Sequence, residues 1–136
     1  MKVREIMTTN VECIAPETTI QDAAERMKSL DVGFLPICEK DRLIGTLTDR
    51  DIVIRGIADN HDNKTTARTV MTSDVYFCFE TDDIEKCAEH MKDKDVRRML
   101  VLDKGKRLVG IVSLGDLSKA QQEAAGDALK DISEAA

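Results

Sequence analysis

The chain repeats itself. Ile6-Met7-Thr8 returns as Val70-Met71-Thr72, an offset of 64 positions. At the same offset Ala24-Glu25-Arg26-Met27 falls on Ala88-Glu89-His90-Met91, and Leu35-Pro36-Ile37 on Met99-Leu100-Val101. One residue is inserted near Gly105 and the offset becomes 65. Arg42-Leu43-Ile44-Gly45 then falls on Arg107-Leu108-Val109-Gly110, Thr48 on Ser113 and Asp51 on Asp116. Self-similarity at such a period constrains a fold more than any single motif, because every element has to be built twice. A copy of about 60 residues has a poor core alone. Two copies packed around a pseudo-two-fold axis bury their apolar sheet faces against each other.

Each copy has the same order of elements. A short strand (11–14; 75–79) precedes a helix. In the first copy that helix spans 19–30, with Ile20, Ala23, Ala24 and Met27 at helical spacing. Thr19 and Asp22 suit a capping box at its start. The second copy has a helix over 82–92, with Ile84, Cys87, Ala88 and Met91 on one face. A hairpin follows (34–38 with 43–47; 99–102 with 108–112), and then a helix from Asp49 or Leu114. The predicted class is α/β of an α+β-like kind, β-α-β-β-α twice. The predicted domains are residues 1–58 and 67–120, joined by a polar linker over 59–66. A helical tail over 121–136 extends the last helix, breaks at Gly126 and frays.

Composition excludes several classes. The 136 residues are 42% hydrophobic and 34% charged, so the chain can fold, and only 3% are aromatic, so its core is aliphatic. There are 9 basic and 12 acidic residues up to Thr66, and 11 and 14 after it. Each half is therefore acidic, and no basic face invites nucleic acid. No stretch approaches the roughly 20 apolar residues of a membrane helix, and no secretion segment follows Met1. A cytoplasmic location is expected, with no membrane partner.

Chemistry concentrates at the strand-to-helix junctions, Gly45-Thr46-Leu47-Thr48-Asp49-Arg50-Asp51 and Gly110-Ile111-Val112-Ser113-Leu114-Gly115-Asp116. A hydroxyl with an acid three residues on is a capping box, which stabilises a helix by about 1 kcal/mol without any further role. The same geometry suits a nucleotide. A helix N-terminus offers N–H groups to phosphate, a Ser or Thr hydroxyl can donate to it, and a carboxylate can accept both ribose hydroxyls. One residue can serve as cap and ligand at once.

The repeat, its element order and these junctions resemble a tandem pair of cystathionine-β-synthase (CBS) domains, the Bateman module, of the small stand-alone bacterial type. Met7-Thr8, Gly33-Phe34-Leu35-Pro36-Ile37 and Thr48-Asp49-Arg50-Asp51-Ile52 carry the likeness in the first copy. Met71-Thr72, Val96-Arg97-Arg98-Met99-Leu100-Val101 and Ser113-Leu114-Gly115-Asp116-Leu117 carry it in the second. The likeness covers residues 3 to 120 and leaves little chain for a catalytic domain.

The resemblance implies a non-enzymatic regulatory module that needs no cofactor. It would take an adenine nucleotide (AMP, ADP or ATP), S-adenosylmethionine or a related purine ligand in clefts between the repeats. By position, Asp51 and Asp116 would hold ribose hydroxyls, and Thr48 and Ser113 would contact phosphate. Backbone near Thr8, Val11, Leu35 and Pro36 would flank one base. Backbone near Thr72, Val75, Met99 and Leu100 would flank the other. The resemblance also implies a homodimer and a protein partner that reads its state. The alternative is a stress-associated structural or interaction protein that has lost the nucleotide.

Two departures bear on that choice. Leu100 replaces the family's second Pro. The arginines are lopsided, with Arg97 and Arg98 only in the second copy and Arg50 only in the first. They suit phosphate by charge, and equally suit a solvated surface.

The remaining signals are small. Cys13 and Cys38 lie on strands that could be neighbours, close enough for a disulfide or part of a metal site, or they are separate buried thiols. Cys78 and Cys87 read as small hydrophobes. His61 and His90 read as solvated, and Met27 and Met91 as packing. No Ser/His/Asp set, GxxxxGK[ST] loop or GxGxxG turn is present, so catalysis lacks a base and a phosphate loop.

Overall fold

A computed structural model describes residues 1–135. The chain divides into two compact units, Glu12–Val75 and a second made of Met1–Val11 with Tyr76–Ala136. Packing and repetition thus cut the chain differently. The first eleven residues leave their own repeat for the other unit, and residues 67–75 of the second repeat stay with the first.

In the unit Glu12–Val75, helix α1 (Ile20–Leu30) starts at Thr19, whose hydroxyl accepts from the Asp22 amide. It ends at Asp31 in the left-handed region, φ 54°, a conformation that Asp tolerates better than most residues. Ile20, Ala23 and Met27 are buried. Ala24, expected on the same face, is exposed instead. Strands β1 (Phe34–Glu39) and β2 (Arg42–Thr48) form an antiparallel hairpin. Its two turn residues, Lys40 and Asp41, both have positive φ, as a type I′ turn requires. Helix α2 (Asp49–Asp51) continues as a π-helical stretch over Ile52–Ile57. The residues read as a polar linker finish against α1, where the Ile20 amide donates to the Thr65 carbonyl. Helix α3 (Ala67–Val70) follows, and Arg68 on it pairs with Glu39 and Glu17.

The expected leading strand over 11–14 reduces to one bridge. Ile14 donates to the Pro36 carbonyl and accepts from the Cys38 amide, each at 3.0 Å. The next parallel bond would need an N–H from Pro36, which has none. The second repeat has Leu100 at that place, and there the ladder forms. Strand β3 (Phe77–Phe79) runs parallel to β4 (Arg98–Leu102), which pairs with β5 (Leu108–Ser113) in a three-stranded sheet.

Helix α4 (Ile84–Lys94) of this other unit buries Ile84, Cys87 and Met91, and it ends at Asp95 with φ 54°, a copy of the Asp31 stop. Helix α5 spans Leu114–Ala135 without the break expected at Gly126. A mid-helix Gly costs only about 1 kcal/mol against Ala, too little to end a helix of 22 residues. A 3₁₀ turn over Val3–Glu5 docks here, with the Val3 amide donating to the Asp82 carbonyl.

Each unit has its own core. One gathers Ile14, Ile20, Met27, Leu35, Ile37, Leu47 and Val70. The other gathers Val3, Ile84, Met91, Met99, Val101, Val112 and Leu117.

Candidate functional site

Both junctions form as capping boxes. Thr48 Oγ1 accepts from the Asp51 amide and the Thr48 amide donates to Asp51 Oδ2, both at 3.0 Å. In the other unit Ser113 Oγ accepts from the Asp116 amide and the Ser113 amide donates to Asp116 Oδ2, again at 3.0 Å. The strand must stop here, because the acid turns the chain by satisfying the amide of the residue before the helix.

A second segment then packs along each β-strand edge. Thr46 and Thr72 exchange backbone bonds at 2.9 Å, and Thr8 does the same with Ile111 at 2.8 and 3.0 Å. Close approach is possible only because the neighbouring strand residue is Gly. A Cβ at Gly45 would lie 2.9 Å from the Thr72 carbonyl oxygen, and one at Gly110 would lie 2.9 Å from that of Thr8. Arg55 Nη1 also donates to the Met71 carbonyl at 3.0 Å.

Thr8 sits on the edge of β5, in one row with Ile111 and Leu100. Thr72 sits on the edge of β2, in one row with Thr46 and Pro36. Each Met-Thr segment crosses to the other repeat's hairpin, and the glycines explain why it can.

Thr48, Asp51 and Thr72 therefore converge in one unit. The Thr72 hydroxyl donates to Asp51, 3.3 Å from Oδ2 and 3.4 Å from Oδ1. Asp51 is 8% exposed and is the one charged side chain buried among the described residues. Ser113, Asp116 and Thr8 occupy the matching places in the other unit, where Asp116 is half-buried. The Arg97 carbonyl accepts from the Leu114 amide at 2.7 Å, which sets Arg97 at the start of α5. Arg50, Arg97 and Arg98 are exposed. Leu35, Pro36, Met99 and Leu100 are buried in their strands, so they present backbone rather than side chain. Val11 and Val75 are half-buried at the points where the chain passes from one unit to the other.

His90, expected in solvent, is half-buried with its ring edge-on to Tyr76 at 6.5 Å. Lys94 lies over the same Tyr76 ring at 5.3 Å. Among the described residues no group of three His, Cys, Asp or Glu side chains could hold a metal ion, and no helix is long and apolar enough to cross a membrane.

The family model of the CBS domain matches residues 3–56 and again 67–123. The chain belongs to the CBS-domain family. CBS domain-containing protein YhcV of Bacillus subtilis is 40% identical over 133 residues, 96% of this chain and 94% of that protein. The crystal structure of Hypoxic Response Protein I with two coordinated zinc ions is similar at a TM-score of 0.80 and 38% identity, covering 88% of this chain and 98% of that one. The CBS domain pair of protein MJ0100, solved with 5′-methylthioadenosine and S-adenosyl-L-methionine, is similar at a TM-score of 0.75 and 26% identity, covering 91% and 98%. The chain is thus a pair of CBS domains, a module whose role in the family is regulatory.

Proposed function

We propose that this CBS pair is a non-enzymatic sensor of an adenosine-based ligand, AMP, ADP, ATP or S-adenosylmethionine. The observation that carries the reading is the Asp51 carboxylate, held in place by the Thr48 amide and the Thr72 hydroxyl. A buried carboxylate fixed by donors from two segments is oriented before any ligand arrives, which lowers the ordering cost of binding. Asp51 takes the ribose hydroxyls and Thr48 meets phosphate. Asp116 and Ser113 do the same in the other unit. The adenosine compounds bound by the MJ0100 pair support this ligand class.

Because Thr72 and Asp51 belong to different repeats, a ligand that displaces the Thr72 hydroxyl changes how one repeat's leading segment sits on the other's hairpin. Such differential contact is what a regulatory ligand requires, and a protein partner reads the outcome. We infer further that a second copy of the chain packs on the π-helical face, where Val53, Ile54 and Ile57 are 52%, 48% and 66% exposed. A light-scattering mass of twice 15.1 kDa is the expected result, and a monomer mass rejects it.

Calorimetry with AMP, ADP, ATP and S-adenosylmethionine tests the sensor. Submillimolar binding of at least one, weakened by Asp51→Ala or Asp116→Ala, is expected. No binding by any of them, or binding unmoved by both substitutions, overturns it. The second reading, an interaction protein without a nucleotide, is favoured by one feature. Both Asp51 oxygens already face donors within the chain.

A further inference from the structure

We propose that Cys13 and Cys38 form a redox-active dithiol that exchanges with a small peptide-type disulfide. The two sulfurs lie 2.9 Å apart. Their backbones are fixed by the one bridge of the leading segment, Ile14 to Pro36 and Cys38. Closing to a disulfide bond of about 2.05 Å therefore needs little movement.

The pair is asymmetric in the way dithiol exchange requires. Cys13 is exposed and Cys38 half-buried. The Cys38 S–H donates to the Cys13 sulfur, which lowers the Cys13 pKa and raises that of Cys38. Cys13 is thus the attacking thiolate and Cys38 the resolving thiol. A groove of about 600 Å³ opens at Cys13, with Thr18, Asp22, Glu25, Arg26 and Ser29 on its walls. A polar groove with both charge signs suits a small zwitterionic peptide disulfide.

The exchange proceeds in two steps. The Cys13 thiolate attacks one sulfur of R–S–S–R. That bond breaks, the first thiolate leaves, and it takes up the proton that Cys13 gave to solvent. Cys38 then loses its proton and attacks the Cys13 sulfur of the mixed disulfide, expelling the second thiolate, which is protonated in turn. Two electrons and two protons pass from the protein to the small disulfide, giving one protein disulfide and two small thiols.

The chain carries its own control. Cys78 and Cys87 lie 3.3 Å apart, close enough in geometry, yet they are 3% and 1% exposed inside a core. Proximity without access leaves them inert. This site rests on no nucleotide, and its test is separate from that of the sensor.

The experiment titrates the reduced full chain with oxidised glutathione, blocks free thiols with N-ethylmaleimide, and maps the products by mass spectrometry. Loss of Cys13 and Cys38 labelling is expected, with a mass lower by two hydrogens and a peptide linking the two. Cys78 and Cys87 label only after denaturation. Cys38→Ser stops the reaction as a glutathione adduct on Cys13, and Cys13→Ser abolishes it. Continued labelling of Cys13 and Cys38 at oxidising ratios overturns the proposal. So does a bond joining two chains, or an unmodified Cys13 in the Cys38→Ser variant.

Discussion

The Thr72 hydroxyl donates to Asp51 Oδ2 at 3.3 Å, so a residue that opens the second repeat completes the helix cap of the first. The cap itself needs only Thr48 and Asp51. The third partner ties a local signal to a contact 21 positions away. Thr72→Val removes that donor and leaves the capping box intact, so a loss of about 1 kcal/mol is expected. Asp51→Ala removes the box as well and costs about 2 kcal/mol or more. Urea unfolding of both variants measures the difference, and a Thr72→Val variant as stable as the parent chain shows that the hydroxyl contributes nothing.

Gly45→Ala tests the edge on which Thr72 sits. The new Cβ would meet the Met71 sulfur at 2.8 Å and the Thr72 carbonyl oxygen at 2.9 Å. A methionine can swing away, but a carbonyl held in a backbone pair cannot. An overpacking loss of about 1–3 kcal/mol is expected, with faster hydrogen exchange at the Thr46 and Thr72 amides. Gly110→Ala acts alike on Thr8 and Ile111. Unchanged exchange at these amides refutes the close-approach argument.

Much of this architecture was legible in the residues, and the failures have physical causes. Thr19 and Asp22, Thr48 and Asp51, and Ser113 and Asp116 are caps that spacing alone reveals, since their partners are three residues away. The Thr72–Asp51 contact left no such trace, because pairing between edges depends on which glycine admits which backbone. The strand over 11–14 read as apolar and extended, and it failed for want of one N–H on Pro36. Ala24 read as core because Ala suits either face of a helix and its presence decides nothing.

Pro36→Ala restores that donor. The amide at position 36 faces the segment that Ile14 already joins to β1. Protection of this new amide from exchange is expected, as β3 pairs with β4 where Leu100 stands. The stability change stays below about 1.5 kcal/mol, the net worth of one hydrogen bond. A freely exchanging amide at 36 means that something other than Pro36 truncates the strand.

Arg97→Ala separates phosphate recognition from adenosine recognition. Arg97 stands at the start of the long helix α5, beside Ser113 and Asp116. Affinity for AMP, ADP or ATP is expected to fall by about tenfold, the 1.5 kcal/mol or so of a charge-assisted bond. Affinity for S-adenosylmethionine, which carries no phosphate, stays within about twofold. Thermal shift reads both, because a ligand bound only to the native state at 100 times its Kd adds about 2.7 kcal/mol. An equal loss for the two ligands places Arg97 outside phosphate recognition.

Cys38→Ala exposes the electrostatic half of the dithiol. The Cys38 S–H is the largest cause of the lowered Cys13 pKa, opposed by burial and by the Asp41 charge. A lowered pKa means that thiolate persists at a pH where an ordinary thiol is already protonated. Alkylation by iodoacetamide, which needs the thiolate, therefore holds its rate to lower pH in the parent chain. Without the donor only the opposing causes remain, so the midpoint of the alkylation profile moves to higher pH in Cys38→Ala. Oxidation gives an independent check in the parent chain. Closing the loop over residues 13–38 restricts the unfolded state by about 3 kcal/mol, so the oxidised form unfolds at higher urea than the reduced form. A profile that does not move in Cys38→Ala removes the donor argument, and an oxidised form no more stable than the reduced one shows that the bond strains the Ile14 bridge beside it.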